Sequence, residues 1–458
     1  VYFVCFVVAK RLSAFVVKIH TMNYYTEPAK QLPITQTVDV LVVGGGPAGV
    51  ATAISAARMG ANTLLIEQTS AVGGVATTGL MSHWTGATEG TLYEEILQRA
   101  NDANQDWNYY GEKILHGKRI INPEKLKLTL LEMLYEAGAQ VQLYTFASDV
   151  IMEGNRLTGV IIESKSGREA IRAKVVVDAS GDGDIAAKAG AEYYKGRESD
   201  GKMQPATLMF KVAGVDMSRA VFPGEFEDDF EVPAGKLQEL GRKHLAFPNG
   251  HVLLYPSTLP GVVTVNMTHC LNVDGTNAAD LTRAEYECRK QIPGIIAFLR
   301  QFVPGFEGCF LMTTASVIGI RETRHFVGEY TITEQDIEQA HVFDDWLVTR
   351  AHFNFDVHGI TGPGLDETGR QKAFVQTKKY TIPKGCFVPK AIDGLLLAGR
   401  NISGTHLAHS NFRVMPICVN MGQGVGVLAA LSVQQGKKSR YVDVKDVQNI
   451  LIQQGVTV

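Results

Sequence analysis

The chain has 458 residues, 45% hydrophobic and 20% charged, values near those of soluble globular proteins, which exclude a disordered chain and an all-membrane architecture. Its 44 basic and 47 acidic side chains leave a formal charge of -3, so no global field steers it onto nucleic acid and no nucleic-acid partner is expected. The six cysteines (Cys5, Cys270, Cys288, Cys309, Cys386, Cys418) lack any CxxC spacing, which argues against a zinc site or a dithiol pair and fits reduced thiols in a cytoplasmic protein.

The sequence begins at Val1, and residues 1–9 form an apolar run too short to span a bilayer, with no basic region ahead of it. Two readings stand for residues 1–21: translation upstream of a start at Met22, or a membrane-associating or targeting segment. No stable membrane insertion is expected, and no later stretch reads as transmembrane. From Thr37 the pattern VDVLVVGGGPAGVATAISAARMGANTLLIEQ gives an apolar β run, a glycine turn, a small-residue helix stopped by Gly60 and a second β run, which together make a βαβ unit. A Gly-rich stretch (Gly73, Gly74, Gly79) follows, then a helix near residues 92–103 and a helix opened by Pro123 and stopped at Gly138. Short β runs with turns at Gly154-Asn155 and SKSGR lead into AIRAKVVVDASG and belong beside the first sheet.

From about Glu192 to Pro383 the character changes to mixed strands and helices with scattered aromatic residues and prolines, as in an inserted domain. IDGLLLAGR then gives a further buried strand, followed by a glycine and histidine loop and the helical-looking PICVNMGQGVGVLAALSVQQG. Length alone suggests about three units of ~150 residues. The division expected is an N-terminal extension (1–36), the first part of a dinucleotide-binding domain (37–191), a substrate domain (192–383), a return segment (384–435) and a tail (436–458).

Gly44-x-Gly46-x-x-Gly49, with Pro47 and Ala48 between, lies between strand and helix: the first glycine permits the tight turn, the second admits a pyrophosphate, and the third allows close packing. Helix N-terminal amides can then hold phosphate. Glu67 ends the second strand, where its carboxylate can take ribose hydroxyls. The Gly73-Gly74 pair extends the phosphate loop, which favours FAD over NAD.

That run resembles the glutathione-reductase-like FAD proteins, and VVVDASGDGDIAAKAGA (residues 175–191) is similar to their second strand and turn, including Ser180 and Gly181. Asp178, Asp182 and Asp184 there read as turn and capping residues or as ligand contacts. Three segments, GIRETRHFVGEYTIT, FDVHG and IPKGCFVPKAIDGLLLAGRNISGTHLAHSNFRVMPICVNMGQGVG, resemble the bacterial FAD-dependent oxidoreductases that share C-terminal AGR and RVMP signatures. With the N-terminal motifs the resemblance covers most of residues 38–431. Asn411-Phe412 before Arg413 departs from it, since smaller residues are expected there. The resemblance implies an α/β fold, with a Rossmann-type, glutathione-reductase-like FAD-binding domain and an inserted α+β substrate domain. It also implies that Gly399-Arg400 and the loop and helix start around Met421, Gly422 and Gln423 approach the flavin. The alternative for Gly422, Gly424 and Gly426 is helix packing.

Arg321, Arg324, Arg400 and Arg413 fall in these motif regions, and a guanidinium fork suits a carboxylate or phosphate. Arg321 and Arg413 are the first choices for substrate binding; internal salt bridges, with Glu322 or Glu329 for example, are the alternative. His352, Asp356, His358, His406 and His409 are candidates for proton transfer, with His358, oriented by Asp356, preferred as the base. A metal at His406-x-x-His409 lacks an evident carboxylate partner, so none is expected. His83 as a covalent flavin attachment has no motif behind it. The function expected is FAD-dependent hydride transfer from a small organic substrate, anionic if the arginines bind it, to flavin N5, with an unknown electron acceptor. The alternatives are a flavin monooxygenase using NAD(P)H and oxygen, and a flavin-bearing binding protein or non-redox flavoenzyme.

Overall fold

The computed structural model describes residues 23–100, 119–223, 229–366 and 373–458. The readings of residues 1–21 and the end of the helix expected through Ala103 lie outside these residues. In β1 (Ile34–Val43) nearly every residue from Val38 onward is buried, as in a strand covered on both faces. The glycine turn leads into α1 (Pro47–Arg58), whose small side chains are buried at ten positions, and β2 (Thr63–Ile66) returns parallel to β1 with Val40 opposite Thr63. After α2 (Thr91–Ala100) comes α3 (Pro123–Glu136), where the Asn122 side chain accepts from Glu124 N and caps the first turn. Next come β3 (Gln140–Gln142), the antiparallel run β4 (Phe146–Glu153), β5 (Arg156–Ser164) and β6 (Gly167–Asp178), then the short helix α4 (Asp184–Lys188).

The middle of the chain builds a separate antiparallel sheet from β7 (Phe210–Ala213), β8 (Leu254–Pro256), β9 (Val263–Val265) and β10 (Phe310–Thr314), in the order β8-β9-β7-β10. It shares a core with α5 (Ala278–Phe302), through Phe210, Val263, Ile292 and Leu299 among others. The chain then re-enters the first sheet as β11 (Leu395–Leu397) and ends in α6 (His406–Phe412), α7 (Met415–Gln435) and α8 (Val444–Gln453).

The seven-stranded sheet has the order β3-β2-β1-β6-β5-β4, with β11 also on β6. β6 bridges its two halves. Its first residues pair with β5, its whole length runs parallel to β1, and its end pairs with β11, Leu395 opposite Val176. This is the Rossmann-type α/β arrangement expected, and its strands β1, β2, β6 and β11 all present their C-terminal ends on one edge, the usual place for a ligand. Two hydrophobic cores result, one around the large sheet and one around the small sheet, and Met81 packs against both.

α7 is long and apolar enough to cross a membrane, yet 94% of its apolar window is buried within the protein, so it is the central core helix. It lies against α1 through glycines. A Cβ on Gly422 would sit 2.2 Å from Ala48 O, and one on Gly426 would sit 2.6 Å from Thr52 O. Gly422→Ala must therefore push the two helices apart, at an expected cost of about 1–3 kcal/mol. A fall in the urea midpoint at unchanged slope would bear this out, and an unchanged midpoint would contradict it.

Candidate active site

β1 ends at Gly44, whose φ of +102° is a conformation that side chains rarely adopt. A Cβ there would lie 2.5 Å from Ala179 O, and one on Gly49 only 1.9 Å from Gly44 O, so α1 leaves the strand in the tightest available turn. Gly46 is different: nothing lies within 4 Å of its Cβ position. That open space, in front of first-turn amides that no side chain caps, is where a phosphate fits. Pro47 opens the helix without an N–H to leave unpaired, and Ala48 is buried beside Gly399.

Glu67 is buried, and its Oε2 accepts from Gly45 N at 2.7 Å while Oε1 accepts from Thr69 N at 2.7 Å. Each oxygen retains a lone pair for a ribose hydroxyl. Gly73 N donates to Gly45 O at 2.7 Å and a Cβ on Gly74 would lie 3.1 Å from Gly46 Cα, so the pair packs directly on the glycine turn. These residues fit FAD: a pyrophosphate at Gly46 and the α1 amides, and a ribose at Glu67.

The turn after β6 closes the other side. Asp178 is fully buried and accepts from Ser180 N and Oγ and from the Ile185 and Ala186 amides, so it caps α4 and shapes the turn, while burial raises its carboxyl above the ordinary value. The Arg400 guanidinium lies over Gly181, where a Cβ would meet its Nη2 at 2.5 Å, and pairs with Asp182 at 3.0 Å. Arg324 pairs with Asp184, and Thr323 donates to Asp182. The aspartates are thus engaged by the fold itself.

The expected helix start near Met421 is corrected: α7 begins at Met415, with Val414 as N-cap and Pro416 in the first turn. Gly422 faces α1, and Gln423 donates to Thr91 Oγ1 and Gln454 Oε1, so both sit at mid-helix and serve packing. Since Gly422 lies opposite Ala48 and Gly426 opposite Thr52, the two helices run in the same direction. The first two turns of α7 therefore extend about 10 Å beyond the start of α1, past the phosphate position. The glycine and histidine loop is also more ordered than expected, because Thr405 caps α6 by accepting from Ala408 N.

Beyond that helix end lies a polar cluster drawn from distant parts of the chain. Arg413 Nη2 donates to Asp356 Oδ2 at 2.9 Å and to Asp356 O at 2.8 Å, and it reaches Gln204 Oε1, which also accepts from His358 N. Asp356 Oδ1 stands 3.6 Å from His358 Nε2, longer than the orienting hydrogen bond expected. Burial would raise the Asp356 carboxyl, but the Arg413 and Arg321 guanidinium groups hold it well below the usual range. Arg321 is buried and donates through Nη1 to Pro205 O; among the described residues no carboxylate lies within ion-pair distance of it. Burial, with Arg413 nearby, lowers its guanidinium to about 9. The alternative of internal salt bridges holds for Arg413, Arg324 and Arg400, with Asp356, Asp184 and Asp182 as the partners, while Glu329 pairs with Arg440 and Glu322 with histidines.

Sequence reasoning missed three members of this site. His251 stands 6.2 Å from both His358 and His269, ring centre to ring centre, and Gln204 links Arg413 to His358. They come from segments without motifs, so nothing local marked them. Among the described residues Gln204 Nε2, Asp356 Oδ1 and Arg413 Nε are buried without a hydrogen-bond partner. Three such atoms on side chains of one linked cluster leave polar groups for a ligand to satisfy. His83 instead stacks on Tyr255 at 3.3 Å.

The carboxylate that His406-x-x-His409 lacked in the sequence is Glu322. Its Oε1 accepts from His406 Nδ1 at 2.6 Å and His325 Nε2 at 2.8 Å, and donor atoms of Glu322, His325 and His409 lie within 4.8 Å of one another. Oε1 thus takes two hydrogen bonds, and Oε2 accepts from Gln204 N. The two histidines pull Glu322 far below the carboxylate range against its burial, and Glu322 in turn raises His406 despite the burial that opposes it.

Burial holds His251 at about 3 and His269 at about 4, and keeps His358 and His409 well below the ordinary value. Unfolded histidine titrates near ~6.5, so below that pH the unfolded chain binds more protons than the folded one and stability falls as pH falls. Each of these histidines contributes a slope of about 1.4 kcal/mol per pH unit, against which the raised His406 and the raised Asp178 carboxyl work in the opposite sense. The urea midpoint with FAD in excess is therefore expected to drop steadily from about pH 6.5 to about pH 5; a flat or rising profile contradicts the buried neutral histidines.

Comparison with known proteins agrees with this geometry. A family model described as FAD dependent oxidoreductase matches residues 39–451. The chain is similar to digeranylgeranylglycerophospholipid reductase of Thermoplasma acidophilum, 32% identical over 162 residues, 32% of this chain and 40% of that protein. It is 28% identical over 152 residues to digeranylgeranylglycerophospholipid reductase 2 of Methanopyrus kandleri, 31% of this chain and 37% of that one. The matches thus span less than half the length of these reductases. It is also similar to thiamine thiazole synthase of Sulfolobus acidocaldarius, 28% identical over 200 residues, 41% of this chain and 72% of that protein. In fold it resembles a geranylgeranyl bacteriochlorophyll reductase-like protein of Thermoplasma acidophilum, with a TM-score of 0.50 at 16% identity over 91% of this chain and 84% of the other.

Proposed function

Because the chain belongs to the FAD dependent oxidoreductase family, we propose that it oxidises a small organic anion, taking hydride from a C–H bond while a side chain takes the accompanying proton. FAD is the cofactor and supplies the two-electron acceptor. The observation that carries the reading is Arg321, a buried guanidinium without a carboxylate of its own, beside an Arg413–Asp356 pair with unpartnered polar atoms. Two guanidinium groups against one carboxylate leave the cluster one positive charge in excess, and a substrate carboxylate or phosphate neutralises it.

In this reading Arg321 and Arg413 orient the anion, and His358 accepts the proton. His358 is neutral in the resting protein, as a base must be. Its low proton affinity comes from burial and then from Arg321, so an anion seated on Arg321 would restore basicity at the moment the substrate is in place. The finer likeness to glutathione-reductase-like proteins is supported by the strand order and by Gly73-Gly74 on the phosphate turn. A separate unit after residue 191 is supported by the small sheet and its core, which draw on residues 206–315, whereas Phe326 to Ile382 and Val442 to Val456 pack in the core of the large sheet, so the limits at 383 and 435 have no such support.

Binding can be tested apart from turnover by titrating the purified flavoprotein with small carboxylates and with their neutral amides while following the flavin spectrum. Saturable perturbation by carboxylates alone is expected; equal response to amides, or none to any anion, removes the anion site.

A further inference from the structure

Lys211 is a buried charge that nothing above employs. It sits on β7, and its Nζ donates to Ser82 Oγ at 3.0 Å and Thr264 Oγ1 at 2.8 Å, hydroxyls that are themselves 3.1 Å apart. Only 6% of the residue is exposed, and among the described residues no carboxylate lies within ion-pair distance. An ammonium taken from water and given only two neutral hydroxyl partners is destabilising, because they do not replace the hydration it loses. A hydrophobic residue there would be cheaper, so the location of Lys211 is informative.

That location is the seam between the two cores. Lys211 is opposite Thr264 in the small sheet, and Thr264 is opposite Tyr255, so the three side chains form a row on one face. Ser82 and His83 lie across from this row, His83 stacked on Tyr255 and Ser82 on Lys211. Ser82 belongs to the segment that leaves the phosphate turn: Met81 N donates to Val75 O, and Gly74 beside it touches Gly46. At the other end of the row Tyr255 lies within electrostatic reach of Arg321. Lys211 thus stands between the segment that leaves the phosphate turn and the row that leads to the substrate cluster, at the seam where the small sheet faces the cofactor side of the large one.

We propose that Lys211 is the counter-charge for the reduced cofactor: it takes a proton from solvent when hydride transfer makes the cofactor more negative, and gives the proton back on reoxidation. The inference rests on FAD binding at the Gly44–Gly49 turn and not on the identity of the organic substrate. In the balance, the two electrons and one hydrogen of the hydride go to the cofactor, and the added proton goes to the Lys211 amine. No other bond forms or breaks. The titratable groups on the flanking elements are His83 beside Ser82 and Tyr255 on β8, with Arg321 beyond Tyr255. Burial alone lowers Lys211, to about 8, so the oxidised protein holds both forms of the amine in the mildly alkaline range.

The test is the proton uptake on reduction of the full-length holoprotein by dithionite in weak buffer, followed from about pH 6 to about pH 10. After subtraction of the protons exchanged when free FAD is reduced by the same dithionite, reduction should take up about one extra proton above pH ~8 compared with lower pH, as the neutral amine becomes charged. Lys211→Met should bind FAD normally, because Ser82 and Thr264 can bond to each other, and should lose the extra proton. Lys211→Arg, charged throughout, should lose the extra proton while keeping a higher reduction potential than Lys211→Met, which separates charge from folding. An extra alkaline proton that persists in Lys211→Met overturns the proposal, as does equal reduction potential in the two variants. Because no organic substrate enters the experiment, these outcomes are independent of whether the anion-oxidation reading stands.

Discussion

Gly46→Val is expected to yield a folded protein that carries no FAD. The position is the N-cap of α1 with φ -68° and ψ -179°, an extended backbone that valine adopts readily, and no atom lies within 4 Å of its Cβ. Replacing an N-cap glycine costs about 1 kcal/mol, too little to unfold a domain. The valine methyl groups instead fill the space in front of the first-turn amides, where the pyrophosphate belongs. Gly49→Val is the matching control with the opposite outcome, since its Cβ collides with Gly44 O at 1.9 Å and the turn itself must fail. Circular dichroism and flavin absorbance on both variants separate the cases. A Gly46→Val protein with stoichiometric FAD would show that the cofactor lies elsewhere.

Arg321→Met is expected to retain FAD and stability but to weaken the productive complex by about 10- to 200-fold, the equivalent of about 1.5–3 kcal/mol for hydrogen bonds to a charged group. This variant is cleaner than Arg413→Ala. Removing Arg413 strips Asp356 of its ion-pair partner inside the protein, which costs about 3–5 kcal/mol in stability whatever the role in binding. Removing Arg321 loses a single bond to Pro205 O and relieves a buried charge. The loss should appear in kcat/KM, and added guanidinium should restore part of it. An unchanged kcat/KM in Arg321→Met assigns the excess charge to structure alone.

Much of the cofactor site was legible because its signal is local. Gly44, Gly46 and Gly49 are forced by one turn, Glu67 follows from the length of one helix and one strand, and Gly73-Gly74 needed only proximity to that turn. The residue pattern placed α7 from Pro416, within one residue of its start, and the later start near Met421 came from the resemblance, because glycines that pack a helix on α1 and glycines that approach a ligand look alike in sequence. The substrate cluster was half visible. Arg321, His358 and Arg413 stood out by residue type, whereas Gln204, His251 and Lys211 come together only when the small sheet docks on the large one. Glu322 was weighed as a partner for arginine, but its carboxylate accepts instead from His325 and from His406, a residue brought in from a distant part of the chain.

The central claim is tested most directly by mixing the oxidised holoprotein, without oxygen, with small organic acids bearing an oxidisable C–H bond, and separately with NADPH. The account predicts that an organic acid bleaches the flavin with transfer of its deuterium label, that Arg321→Met slows this, and that NADPH alone does not reduce it rapidly. Rapid reduction by NADPH, with oxygen then consumed and no organic acid effective, would contradict it and assign the chain to the flavin monooxygenases.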